Sequence, residues 1–441
     1  MRVAYIAAGA GGMYCGSCIH DNTLAAALLQ QGTEVTLIPT YTPLRTDEDG
    51  VSIERVFYGG VNVYLQEKLP FFRHTPRLVD WLFDRPSLLG WVARTFTAST
   101  SAADLGALTV SVLQGELGHQ KKELQRLVRW IRDQVKPDVV HLTNSMFAGM
   151  ARYLKEELGV PVLCSIQGEE LFLDALVEPY RSIAHTTLQD RAQDIDGFIS
   201  PCQRYTDFMC DYLALPASRF HLVRLGINLS ECGPGSRPAA APFTIGYLAR
   251  IAPEKGLHLL ADAYALLAAA PGRAADKPLR LRVAGWLGRG DRAYYMDVVE
   301  RLRRAGLDSC VDYVGEVDRA AKLQFLQSLD VLSVPAVYED PKGLYVLEAL
   351  ANGTPVVQPR HGSFPELIEW TRGGLLVEPN SSAALAAGIE ELMNDTALRQ
   401  KLGNDGMTSV HESFSATTMA RATQTVYEQY TSPTTRKDLA T

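Results

Sequence analysis

Twice in this chain an apolar strand runs into a short polar or glycine-bearing turn and then a helical segment, from Val3 and again from Phe243. The first copy reads Val3–Ala7, a glycine turn over Ala8–Gly12, a helix stopped by Gly32, and a second strand, "TEVTLIP". Strand–helix–strand units of this kind make parallel sheets with helices on both faces. Further strands are expected at "VNVYL" from Val61, "DVVHLT", "VPVLCSI", "GFIS" and "FHLVRL". The stretch "ECGPGSRPAAAP", residues 231–242, has the Pro, Gly and Ala content of a linker. After it the alternation restarts with "FTIGYL", "LRLRVAG", "CVDYVG", "VLSVP", "PVVQP" and "GLLVEP". The pattern predicts an α/β chain of two Rossmann-like, doubly wound domains, residues 1–230 and 243–410, facing a central cleft. Open α/β sheets bind ligands at the carboxyl ends of their strands. A helix over 411–430 is expected to pack back toward the first domain, and 431–441 reads as a polar tail. Residues 66–136 are expected to form a helical insertion rich in aromatics and arginine, including Trp81, Trp91, Arg73 and Arg94.

Composition narrows the function. The 441 residues are 46% hydrophobic and 21% charged, which suits a soluble two-domain protein. A net charge of -7 argues against nucleic acid as the main partner. No apolar run reaches the roughly 20 residues of a membrane helix. Seven cysteines without a secretory signal point to a reducing cytoplasm rather than a disulfide scaffold.

Two stretches carry chemistry. In "GYLARIAPEKG", Arg250 and Lys255 sit five apart beyond a strand's carboxyl end and beside a helix start, well placed to hold a diphosphate. In "EDPKGLYVLEALANGTP", Pro341 suits a first helical turn, Asn352-Gly353 is a stop and Pro355 forbids continuation. Asp340 stands before that helix and Glu348 within it. The free N–H groups of a helix start suit phosphate, and the acids suit sugar hydroxyls. The bland alternative is a surface helix with ordinary capping acids.

"GYLARIAPEKGLHLLADAY", "YVGEVDRAAKLQFLQSLDVLSVPAVYEDPKGLYVLEALANGTPVVQ" and "GSFPELIEWTRGGLLVEP" together resemble the donor domain of family-4 glycosyltransferases of the GT-B fold (glycosyl transferases group 1). The first domain is similar at "GAGGMYCGS", "DVVHLTN" and "VRLGIN". The resemblance implies a hexosyl-type transferase that moves a sugar from a nucleoside-diphosphate sugar to an acceptor, retaining the anomeric configuration, with no metal or other cofactor. On this sequence it places Arg250 and Lys255 on the donor diphosphate, Glu348 on the ribose and Asp340 on the donor sugar. Gly11 and Gly12 match a loop near the phosphates, as does the helix start Gly343-Leu344-Tyr345, and Glu316 lies near the base pocket. Three positions depart from the family pattern. Gln167, in "SIQGEE", stands where a histidine is usual. Asp340 stands for a glutamate, and Gly362-Ser363 for two glycines. A catalytically silent sugar-nucleotide-binding protein, or an epimerase on the same fold, is the alternative.

Weaker signals remain. Cys15-x-x-Cys18 beside His20 lacks a second pair for zinc, and the alternatives are a redox pair or small residues shaping a loop. From Gly9 the dinucleotide fingerprint fails at Tyr14, and the second strand ends at Pro39-Thr40 with no acid for a ribose. That counts against an oxidoreductase. The insertion either packs Trp81 and Trp91 on the first domain or receives a carbohydrate or lipid-linked acceptor; contact with a membrane surface is a third use.

Overall fold

The computed structural model describes residues 1–9, 13–58, 102–236, 241–270, 278–307 and 310–432. The strand expected at Val61, the aromatic part of the insertion, Gly11 and Gly12 lie outside the described residues. The remainder of the insertion contains helices over Ala102–Leu113 and Lys121–Trp130. The chain divides into two compact units, Met1–Arg224 joined by the chain from Met419 onward, and Leu225–Thr418.

The first unit is built on strands β1 (Arg2–Ala7), β2 (Glu34–Pro39), β3 (Val139–Leu142), β4 (Val162–Ser165), β5 (Gly197–Ser200) and β6 (Phe220–Leu222). They form one parallel sheet in the order β2-β1-β3-β4-β5-β6. β3, β4 and β5 are buried along their whole length, as continuous apolar strands of a sheet covered on both faces must be. The order reverses between β1 and β3, so the loops after those strands diverge and leave a crevice at their carboxyl ends. A buried histidine crosses this core. His141 on β3 stacks on Tyr5 at 4.3 Å and bonds to Ser165 Oγ at 2.8 Å and Tyr427 Oη at 2.6 Å. Burial lowers its pKa to about 3, so it stays neutral and pins the last helix, Ala416–Thr431, to the sheet.

The second unit repeats the plan with β7 (Phe243–Leu248), β8 (Leu279–Ala284), β9 (Val311–Gly315), β10 (Val331–Leu332), β11 (Val356–Pro359) and β12 (Gly374–Val377). Its order is β12-β11-β10-β7-β8-β9, with the reversal between β7 and β10. β10 is shorter than "VLSVP" suggests. After Ser333 bonds to Gly246 O at 2.9 Å, the amide of Val334 turns to the side chain of Gln358 and the chain leaves the sheet. That early exit carries residues 333–343 to the mouth of the reversal point.

Two boundaries differ from the sequence reading. The division falls at Arg224–Leu225 because Leu225 and Ile227 are buried in the second unit's core. The described part of 231–242 stays with that unit, where Gly233 N donates to Asn352 Oδ1 and Gly233 O accepts from Gln327 Nε2. The segment 411–430 is not one helix. Phe414 is buried, and Ile227 bonds to both Phe414 O and Ala416 N, which separates Thr396–Ser413 from Ala416–Thr431. No described helix is long and apolar enough to cross a membrane.

Candidate active site

The helix after β10 runs from Leu344 to Ala351 and is capped by Gly343 at φ +60°, a left-handed conformation that glycine adopts without steric cost. Pro341 therefore lies in the loop ahead of the helix and not in its first turn. A Cβ at Gly343 would sit 2.9 Å from the Leu367 Cδ1 methyl, a contact that a shift of that side chain could relieve, so the positive φ is what calls for glycine there. Asp340 does the capping work instead. Its Oδ1 accepts from the amides of Lys342 (3.1 Å) and Gly343 (3.4 Å), while Oδ2 accepts from Lys255 Nζ (2.6 Å) and Tyr345 Oη (3.1 Å). The residue is only 3% exposed. Burial alone would raise its carboxyl, but the charge and hydrogen bond of Lys255 and the Lys342 amide bring it down to about 2. Asp340 is an anion at every physiological pH. Burial and the same anion push the Tyr345 phenol well above its ordinary value, so it stays a donor.

Opposite stands the loop after β7. Its 3-10 turn Pro253–Lys255 precedes Gly256, whose φ is +74° and whose Cβ would lie 1.9 Å from Pro335 O. Only glycine lets the two loops approach this closely. Val337 N to Glu254 O at 2.9 Å ties them further, and His361 Nε2, 2.9 Å from Ala336 O, joins the second of them to the loop after β11. Gly362 lets a third loop reach Asp340: a Cβ there would be 2.7 Å from the Asp340 N and O, and Ser363 N donates to that O at 2.8 Å. Lys255 also meets Tyr338, at 2.6 Å to its hydroxyl and 4.8 Å to its ring centroid. Arg250, with its carbonyl held by Tyr247 Oη, pairs its guanidinium with Glu254. The structure thus brings Arg250, Lys255, Asp340, Gly343, Leu344 and Tyr345 together at the second sheet's reversal point. Tyr338 and Glu254 went unnoticed in the sequence; an aromatic two residues before Asp340 was the available signal for Tyr338, and "EKG" for Glu254.

Glu348 lies in the same helix, one turn further in than Leu344, and its Oε1 takes Lys322 Nζ at 2.5 Å. Lys322, on the Arg319–Gln327 helix, is buried and had no sequence signal beyond its charge. Glu316 is half-buried just beyond β9, near Tyr313, whose phenol is raised by burial first and by the Glu316 charge second.

In the first unit Gln167 follows β4. Its Nε2 donates to Thr143 O (2.8 Å) and to Asp21 Oδ1 (3.0 Å), so its amide orientation is fixed and its donors are committed. Asp21 itself was missed: it also takes Tyr5 Oη at 2.7 Å and Thr143 Oγ1 at 2.5 Å, and lies 3.2 Å from His20 Nδ1. Burial works to raise its carboxyl, but these bonds, His20 foremost, hold it below the ordinary value. The next residues form a second acidic pair. Glu169 accepts from the amides of Ser145 and Gln167, while Glu170 accepts from Tyr205. Burial, then the charge of Glu169, raises Glu170 to about 7. Cys15 caps the first helix, Cys18 is buried, and neither is in a disulfide. Among the described residues no group of three His, Cys, Asp or Glu side chains is arranged to hold a metal ion.

Residues 236–408 match the family described as Glycosyl transferases group 1, and residues 112–231 match Glycosyltransferase Family 4. An uncharacterized glycosyltransferase of Methanocaldococcus jannaschii is 30% identical over 427 residues, 94% of each chain. Among solved structures the fold is shared with a sucrose-phosphate synthase from Thermosynechococcus elongatus, at TM-score 0.70 and 18% identity over 97% of this chain and 98% of that one. It is shared too with Anabaena HepE in complex with UDP-glucose, at TM-score 0.64 and 16% identity over 97% and 99%. Matched in both halves and along nearly its whole length, the chain belongs to the family-4 glycosyltransferases and is a glycosyltransferase of the GT-B fold.

Proposed function

We propose that the protein transfers a sugar from a nucleoside-diphosphate sugar to a carbohydrate or lipid-linked acceptor, with retention and without a metal ion. One observation carries this most: Arg250, Lys255, Asp340 and the N-terminus of the Leu344–Ala351 helix converge at one strand-reversal point. A departing nucleoside diphosphate gains negative charge as its bond to the sugar breaks. Two cations and the helix start oppose that charge at the oxygens where it develops, a contribution of several kcal/mol to the barrier. In this role Arg250 and Lys255 supply the charge a divalent ion supplies elsewhere. Asp340 holds a hydroxyl of the donor sugar and Glu348 the ribose. The complex of HepE with UDP-glucose supports a nucleotide-sugar donor and makes uridine donors the first to try.

The test is a thermal-shift screen of uridine, guanosine and adenosine diphosphate sugars, followed by product analysis with excess chelator. Binding to the folded state raises its melting temperature. A donor that stabilises the protein and is slowly hydrolysed in the presence of chelator supports transfer. Binding with no hydrolysis and no transfer to any acceptor would leave a sugar-nucleotide-binding protein, and magnesium-dependent turnover would refute the metal-free mechanism.

A further inference from the structure

We propose that Glu254 is an internal counter-ion that occupies Arg250 in the empty site, competes with the diphosphate for it, and so hastens release of the spent nucleoside diphosphate. Glu254 has this role only if the site takes a nucleoside diphosphate, as proposed above.

Arg250 and Glu254 are four residues apart, yet no helix joins them. They meet because the loop bends between two backbone anchors, Tyr247 Oη on Arg250 O (3.0 Å) and Val337 N on Glu254 O (2.9 Å). Among the described residues Arg250 is the only group that hydrogen-bonds to the Glu254 carboxylate, and Glu254 the only one that binds the guanidinium. The neighbouring pair is different in kind. Asp340 is held by four donors, and its side chain and that of Lys255 are 4% and 16% exposed. The Arg250 and Glu254 side chains are 37% and 23% exposed, so water can take over either partner when they separate. One pair is fixed and the other exchangeable.

The bond from Arg250 Nη2 to Glu254 uses donor capacity that a bidentate grip on phosphate would need. An arriving diphosphate must displace the carboxylate, which then stands beside the bound anion and repels it. On departure the carboxylate returns to the guanidinium. No covalent bond is made or broken in this exchange. Glu254 therefore weakens the hold on donor and product alike and shortens the product's stay.

Glu254→Gln keeps the side chain's size and removes its charge. Calorimetry of uridine, guanosine and adenosine diphosphate, and of inorganic pyrophosphate, should give a dissociation constant about fivefold lower than wild type at low salt, the scale of a partly exposed ion pair. The gain should shrink as salt rises, and product inhibition in turnover should strengthen by a similar factor. In an Arg250→Ala background the same substitution should change affinity by less than twofold. If Glu254→Gln binds a nucleoside diphosphate as weakly as wild type or more weakly, while melting at the wild-type temperature, Glu254 merely props Arg250 in place and the proposal is overturned. If neither wild type nor variant binds any nucleoside diphosphate, the diphosphate site itself is refuted and the proposal falls with it.

Discussion

Replacing Lys255 by methionine strands the Asp340 carboxylate in a site where that residue is only 3% exposed. Three donors stay, the Tyr345 hydroxyl and the amides of Lys342 and Gly343, but the one opposite charge within hydrogen-bond reach is gone. Breaking a buried pair from one side costs about 3–5 kcal/mol; with the remaining donors the lower figure, about 3 kcal/mol, is expected. For a unit of this size that is a fall of roughly 6–12 °C in its melting temperature at pH 7. The pH dependence gives the sharper reading. In the wild type the carboxyl is lowered from 3.8 to about 2, so Asp340 contributes stability that is full above pH 3.8 and lost as pH falls toward 2. That contribution is about 2 kcal/mol. Without Lys255 burial dominates and the folded-state value rises above 3.8; the sign reverses, and Lys255→Met should lose stability as pH rises past 4. Scanning calorimetry of the full chain between pH 4 and 8 measures both effects. Adding Asp340→Asn to Lys255→Met removes the stranded charge and should restore most of the loss. A Lys255→Met protein that melts like wild type at pH 7, or one that Asp340→Asn fails to rescue, would refute the buried-pair account.

Arg250→Ala should leave the fold intact and cut transfer about a hundredfold, near 3 kcal/mol of lost charge stabilisation, measured as kcat/KM for product formation. Glu348→Gln should weaken donor and free nucleoside diphosphate alike by about tenfold, while Asp340→Asn should spare the diphosphate and strike transfer; calorimetry beside product assays separates the two. Asp340→Glu needs room for a methylene between four donors and the backbone closed in by Gly362, and should lower transfer or change the sugar accepted. Glu170 is raised to about 7, facing Glu169, Asp174 and Tyr205, so its stability contribution is full below about pH 4.5 and lost as pH rises through 7. Glu170→Gln should flatten that slope and gain up to about 3 kcal/mol above pH 8 in urea unfolding; an unchanged pH profile would exclude a buried acid.

What the sequence made legible follows from range. Strands such as "FTIGYL" and "GFIS" are read because nearly every residue of a doubly covered parallel strand is buried, which leaves a mostly apolar run. Arg250 and Lys255 are read because five residues and a strand end place them. Pro341 misled because a proline suits a loop as well as a first turn, and the left-handed cap at Gly343 decided between them. The partners were out of reach. Lys255 meets Asp340 across 85 residues, and Gln167 meets Asp21 across 146. No local pattern reports such pairings. Glu254 was legible as a letter, but an acid four residues from an arginine acquires meaning only once the bend that joins them is known.

The full coordination of Asp340 has a consequence for how a donor is bound. A carboxylate offers about four acceptor positions, and here all four are taken, two by main-chain amides that cannot move without unwinding the helix start. A sugar hydroxyl that bonds to Asp340 must displace Lys255 or Tyr345. If the diphosphate draws Lys255 toward itself, it vacates a position on Oδ2, and the sugar hydroxyl fills it. Diphosphate and sugar then bind cooperatively through one lysine, and a free sugar should bind poorly until a nucleoside diphosphate is present. Titrating the donor's free monosaccharide into the protein, with and without saturating nucleoside diphosphate, measures this coupling, which should be at least about fivefold. Reciprocity requires that the sugar tighten the diphosphate by the same factor. Asp340→Asn should abolish the coupling and, by removing the carboxylate that competes with the diphosphate for Lys255, should leave diphosphate affinity no weaker than wild type. Monosaccharide affinity that is the same with and without diphosphate would show that Asp340 never exchanges Lys255 for the sugar, and its carboxylate would then be a fixed strut for the lysine.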